Sequence, residues 1–161
     1  MYELVEYTQS VGETVVTPRV STSRALGIKP YSTKTEAAFL ENLNHALENI
    51  ESNGKRCRIV KEVAISQVFE NNTTFDYLFY TGRFDFVVYE RVSRDMEVPI
   101  LAIELDGMEH REDEDVIRRD EQKNRICREH GFELIRIENS YARRYNYVKD
   151  ILIGYFSSKT N

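Results

Sequence analysis

Hydrophobic and polar positions change period repeatedly along the chain, and each change marks an element. Residues 1–31 carry short β-type clusters: Tyr2, Leu4, Val5 and Tyr7, then Val15 and Val16 before Pro18, with Gly12 placed to turn a hairpin. They read as an N-terminal arm or small β extension to a core spanning residues 32–161. Ala37, Phe39, Leu40, Leu43, Leu47 and Ile50 then recur at helical spacing, with Gly54 as a stop. Thr33 and Glu36 have the form of a capping box at the start of that helix. Residues 57–69 read as one long strand, and Asn71, Asn72, Thr73 and Thr74 as a turn. Residues 75–79 suit an edge strand or a loop.

Residues 83–89 form a strand with Phe84, Phe86 and Val88 on one face and Asp85, Val87 and Tyr89 on the other. A charged, hairpin-like connection over 90–98 leads into residues 99–106, which run back antiparallel. The apolar stretch Pro99, Ile100, Leu101, Ala102, Ile103 is the pattern of a strand buried on both faces. A loop and a helix follow, with Val116, Ile117, Ile126 and Cys127 as apolar points and His130–Gly131 as the end. Residues 132–137 read as a strand and 141–156 as a last amphipathic helix carrying Tyr145, Val148, Leu152 and Phe156 on one side. This order predicts an α/β (α+β) fold, a mixed sheet flanked by helices.

The chemistry lies at the end of the 99–106 strand. Glu104 and Asp106 share a face, and antiparallel pairing brings Asp85 beside them. Burying adjacent like charges is costly unless something cancels them, and a hard cation held by oxygen ligands does so. The plainer alternative is a strand end that emerges into water, with Asp106 as a turn residue before Gly107.

Composition narrows the picture. The 161 residues are 41% hydrophobic and 30% charged, which fits one globular domain. No apolar run is long enough for a membrane span, and no signal peptide shows, so a cytoplasmic, intracellular setting is expected. Cys57 and Cys127 lack metal-ligand spacing and read as small buried hydrophobes. The net charge of −5 argues against indiscriminate nucleic-acid binding but leaves room for a local basic groove. Arg118, Arg119, Lys123, Arg125, Arg128, Arg136, Arg143, Arg144 and Lys149 cluster late, the last three interleaved with Tyr141, Tyr145 and Tyr147. They suit phosphate contacts with aromatic stacking, or equally a solvated helix face paired with nearby acids.

In order along the chain, Phe84–Asp85–Phe86, Ile103–Glu104–Leu105–Asp106–Gly107 with His110, Asp120 with Lys123, and Gly131 through Ile137 resemble the PD-(D/E)XK nuclease superfamily. More narrowly they are similar to its small single-domain branch related to very-short-patch repair endonucleases; Glu36 and Gln67 fit that branch's first-helix glutamate and first-strand glutamine. The resemblance implies a restriction-endonuclease-like sheet and a nuclease using Mg²⁺ or Mn²⁺ on DNA, ahead of RNA. It implies Asp85, Glu104 and Asp106 as metal ligands, and Glu36, Gln67, His110 and Lys123 as further site residues. The superfamily's E-x-K lysine is Asp106 here, and Lys123 is the candidate substitute. An internal ion pair between Asp120 and Lys123 explains both residues as well. A catalytically inactive module that binds nucleic acid or a protein partner is the alternative, and a homo-oligomer is compatible with either.

Overall fold

The structure is a computed structural model, and it describes residues 33–50, 56–107 and 112–159. The expected N-terminal arm, the Thr33 side chain of the capping box, Gly54 and His110 lie outside the described residues.

Four strands form one sheet in the order β1-β2-β3-β4: β1 (Cys57–Ala64), β2 (Arg83–Ser93), β3 (Met96–Asp106) and β4 (Glu133–Glu138). Strand β2 is antiparallel to both β1 and β3, while β4 runs parallel to β3, with Glu104 aligned to Arg136 and Asp106 to Glu138. A parallel pair needs a crossover, and α4 (Glu114–Glu129) supplies it. The remaining helices are α1 (Thr33–Glu48), the single turns α2 (Ile65–Val68) and α3 (Leu78–Thr81), a 3-10 turn at Asn139–Tyr141, and α5 (Tyr145–Ser158). A mixed sheet flanked by helices is thus the observed class.

Two apolar layers hold the sheet. On one face Phe86, Val88, Leu101, Ile103, Leu105 and Ile137 pack against Phe39, Leu43 and Leu47 of α1 and Val148, Leu152 and Phe156 of α5. On the other, Val63, Val87 and Ala102 meet Ile126 and Cys127 of α4, with Phe69, Leu78 and Phe79. Residues 101–105 of β3 are all buried, because layers cover both faces. Each large side chain so buried contributes about 1.5–3 kcal/mol of transfer free energy. Ala37 of the expected α1 stripe is exposed and Ala46 is buried instead.

Three expectations need correction. First, the strand over 57–69 stops at Ala64, and Gln67 stands in α2. The Ile65 amide donates to the Gly82 carbonyl and the Phe69 amide to the Ile65 carbonyl. A Cβ on Gly82 would meet Leu78 and Ile65 at 2.8–2.9 Å, so glycine permits the close approach that turns the chain. A short buried apolar run does not distinguish strand from helical turn by period. Second, residues 90–98 are not a separate connection: β2 and β3 run through them to a tight turn between Ser93 and Met96. The charges there make a solvated ribbon, with Glu97 paired to Arg58 at 2.8 Å and to Arg91 at 4.0 Å. Third, the last helix starts at Tyr145 rather than at 141.

At Ile100 the β2–β3 register slips by a residue, because Val88 faces Leu101 while Tyr89 faces Pro99. The freed Ile100 carbonyl accepts the Tyr155 hydroxyl of α5 at 2.9 Å. Pro99 precedes the first β3–β4 pair, Leu101 with Glu133, so its missing N–H costs no ladder bond there.

Candidate active site

Strand β2 loses its regular partners on both sides at Asp85. On the β1 side, Lys61 faces Phe86 and Val63 faces Phe84, but no Glu62–Asp85 pair joins the register. Glu62 has φ 54°, the left-handed region, which takes it out of the extended ladder. On the β3 side, pairing starts at Phe86 with Ile103. Beyond that point side chains replace the ladder: the Asp85 amide donates to Glu104 Oε2 at 2.9 Å, and the Leu105 amide donates to Asp85 Oδ2 at 2.9 Å. The sheet forks there, and the two carboxylates fill the fork. Strict alternation also fails: Phe84 joins the layer of Val63, Phe69 and Val87, whereas Phe86 and Val88 face the other way.

Glu104 is 3% exposed. Its Oε1 accepts from Lys123 Nζ at 2.9 Å. Lys123 comes from the middle of α4, three residues before buried Ile126, and its ammonium lies 5.9 Å from the Phe84 ring centroid. Helix α4 is placed by its ends. Asp113 caps it, accepting from the Asp115 and Val116 amides at 2.9 and 3.3 Å. Gly131, at φ 63°, closes it while the Phe132 amide returns to the Cys127 carbonyl and the Gly131 amide to that of Arg128.

Arg136 completes the cluster. Aligned with Glu104 across the parallel pair, its Nη1 lies 3.8 Å from Glu104 Oε1, 3.6 Å from Asp106 Oδ1 and 3.2 Å from Asp120 Oδ1. Its Nη2 donates to the Asp120 carbonyl and to Asn124 Oδ1. Among the described residues, two cations thus stand among four carboxylates. Arg136, one of the late basic residues, enters the site through the parallel register, which is non-local and leaves no local signal in the sequence.

Burial, and then the charge of Asp85, push the Glu104 carboxyl above its usual range, against the opposing pull of Lys123 and the Asp85 amide. Burial likewise pushes the Cys127 thiol up to about 12, with Glu104 adding to it. Cys127 therefore stays a protonated, buried side chain and offers no thiolate nucleophile. Cys57, half-buried, is pushed up to about 11 for the same first reason.

Of the expected residues, the structure brings together Asp85, Glu104, Asp106 and Lys123, with Asp120 held through Arg136. Lys123 engages Glu104, and the expected pairing of Asp120 is made with Arg136. Glu36 is half-buried in the first turn of α1, in the layer covering the opposite face of the sheet from α4. Gln67 is half-buried in α2. Among the described residues, no group of three or more His, Cys, Asp and Glu side chains is arranged to hold a metal ion, so Asp85, Glu104 and Asp106 are not a ready three-ligand set. Asp85 and Glu104, hard oxygen donors beside one another, still fit a cation of the Mg²⁺ kind. That ion is commonly held by one or two carboxylates, with water and substrate phosphate completing its shell.

Among proteins already described, the model of a family described as "Protein of unknown function (DUF2726)" matches residues 28–154. Searches of curated proteins and of solved structures each found no match.

Proposed function

The chain belongs to this family of unknown function, and we propose that it is a metal-dependent nuclease of the PD-(D/E)XK kind that hydrolyses phosphodiester bonds, in DNA ahead of RNA. The observation that carries the reading is the Lys123 ammonium, 2.9 Å from a buried glutamate whose carboxyl stands beside Asp85. A buried carboxylate beside a half-buried one is costly for stability alone and suits a site that handles charge.

Asp85 and Glu104 would hold Mg²⁺ or Mn²⁺, with Asp106 at the rim. The ion, when bound, supplies charge to a phosphodiester oxygen and lowers the pKa of a coordinated water. The Lys123 ammonium, where the E-x-K lysine is missing, offsets negative charge that develops on the phosphorus oxygens. Arg136 positions Asp106 and Asp120 and, with Lys123, offsets part of the carboxylates' charge. His110, four residues beyond Asp106, is the candidate for moving a proton near neutral pH.

A second reading, a nuclease-fold module that binds nucleic acid or a protein without cleaving, draws on the lack of a three-ligand group among the described residues. Incubation with supercoiled plasmid, linear duplex and single-stranded DNA in Mn²⁺, beside an Asp85→Asn control, separates the two. Cleavage lost in Asp85→Asn supports the nuclease. Nucleic-acid binding with no cleavage in any metal supports the module.

A further inference from the structure

Directly after β4 the chain makes the 3-10 turn Asn139–Tyr141 and enters α5 at Tyr145. Within this short span Tyr141 and Tyr147 stack, with ring centroids 4.6 Å apart and planes 23° from parallel. The Arg144 guanidinium lies 4.7 Å from the Tyr141 centroid, and the Lys149 ammonium lies 5.6 Å from that of Tyr145. Tyr147 is 40% exposed, and Arg143 and Arg144 are exposed. No salt bridge ties Arg143, Arg144 or Lys149 to a carboxylate among the described residues, and the first turn of α5 carries no acid. In a chain of net charge −5, this is a local concentration of positive charge, unpaired among the described residues, around a stacked pair of rings.

The patch is rigidly seated. Ala142 is fully buried, and its carbonyl accepts from Asn42 Nδ2 of α1 at 3.0 Å. Arg143 Nη2 reaches Thr35 Oγ1 at 3.5 Å. The patch follows directly on the strand that carries Arg136. Glu138, the end of β4, is aligned with Asp106, and Tyr141 is three residues further on, about 10 Å of chain at most.

We infer that Tyr147, backed by Tyr141, is a stacking platform for an unpaired base, and that Arg143, Arg144 and Lys149 hold the phosphates that flank it. The substrate class is then nucleic acid with a single-stranded segment (an end, a flap or a gap) beside the bond to be cut. This rests on the nuclease reading and deepens it. A preformed, exposed ring face accepts any base without sequence preference, and cations nearby add phosphate contacts whose strength falls with salt. Duplex DNA keeps its bases stacked inside the helix and offers no free ring face to Tyr147, so the platform selects against it.

Fluorescence anisotropy of the whole chain in EDTA, where metal-dependent cleavage is off, tests the inference with labelled oligothymidylate, a gapped duplex and a blunt duplex. The wild type should bind the first two more tightly than the third. Tyr147→Ala should weaken oligothymidylate and gapped-duplex binding about tenfold, the scale of one lost base stack. It should leave blunt-duplex binding unchanged, and Tyr147→Phe should bind as the wild type does. Arg143→Gln should lower the slope of log affinity against log salt by about one phosphate contact. Tyr147→Ala binding all three probes as the wild type does would overturn the platform, as would equal losses on all three or equal losses in the Phe variant. The two readings fail separately: absent Mn²⁺ cleavage beside the expected binding pattern removes the nuclease and keeps the platform. Cleavage of blunt duplex without any single-strand preference does the reverse.

Discussion

Helix α4 makes two ion pairs two positions apart, and they behave oppositely. Arg125 grips Asp76 with two nitrogens, at 2.6 and 3.1 Å, where the arginine is 44% exposed. The Asp76 carboxyl is held below its ordinary range, first by that hydrogen bond. Lys123 meets Glu104 at a comparable 2.9 Å, yet the Glu104 carboxyl is pushed up. The difference is surroundings. Asp76 is held by an arginine fork, whereas Glu104 is fully desolvated and stands beside Asp85. A single lysine does not outweigh lost water plus a like charge. The Arg125 pair clamps the loop before α3, and the Lys123 pair leaves a desolvated carboxyl whose protonation its neighbours oppose and favour in turn.

Removing the half-buried cation tests the Lys123 pair directly. Lys123→Met should cut Mn²⁺-dependent plasmid turnover by about 10²-fold, the scale of losing one charge-stabilising donor, and raise the Glu104 carboxyl further. Steady-state cleavage and a carboxyl titration by NMR check both, and unchanged turnover would make the pair structural.

Next, Glu104→Gln should abolish Mn²⁺ binding by calorimetry and alter the pH dependence of folding. The folded pKa of Glu104 lies above its ordinary 4.5, so its stabilising contribution is full below 4.5 and is lost as pH rises through the folded value. Urea midpoints measured upward from pH 4.5 should therefore fall less steeply in the Gln variant than in the wild type.

Arg125→Ala should act at the other end of the scale. Asp76 has its folded pKa below 3.8, so its contribution is present above 3.8 and lost as pH falls through the folded value. The variant should melt slightly lower at neutral pH, lose less on acidification than the wild type, and cleave normally. A large loss of turnover would join the two pairs into one functional unit.

The smallest effect concerns the clamped loop. Phe75 is 87% exposed with φ 59°, a conformation that costs a non-glycine residue about 1 kcal/mol. Phe75→Gly should raise the urea midpoint by an amount equivalent to about 1 kcal/mol or less, since glycine also loses more chain entropy on folding.

Some of this was legible in the chain and some was not, for physical reasons. Strand β3 was readable because layers cover both its faces, which demands an apolar run whatever the neighbours are. The end of α4 was readable because a left-handed cap calls for a residue such as Gly131. Lys123 stands three residues before buried Ile126, so helical spacing sets it beside the inward stripe, and the structure puts its ammonium on Glu104. Gln67 was misplaced because Ile65 and Val68 bury themselves equally well in one helical turn as in a strand. Phe84 crossed to the other layer because alternation holds only while the ladder does, and Glu62 breaks it. Arg136 entered the cluster through the parallel alignment of two strands separated by a helix, which no local pattern encodes.

The fork also makes the site its own reporter. The Asp85 and Leu105 amides are bonded to carboxylate oxygens, where a regular ladder would offer strand carbonyls. Their hydrogen-exchange protection therefore depends on these carboxylates keeping their places and, for the Asp85 amide, on the ionisation of Glu104, while neighbouring ladder amides follow the opening of the sheet itself. Deuterium uptake at these two positions, followed against pH or added Mn²⁺, would read the charge state of the candidate centre amide by amide, without any substrate.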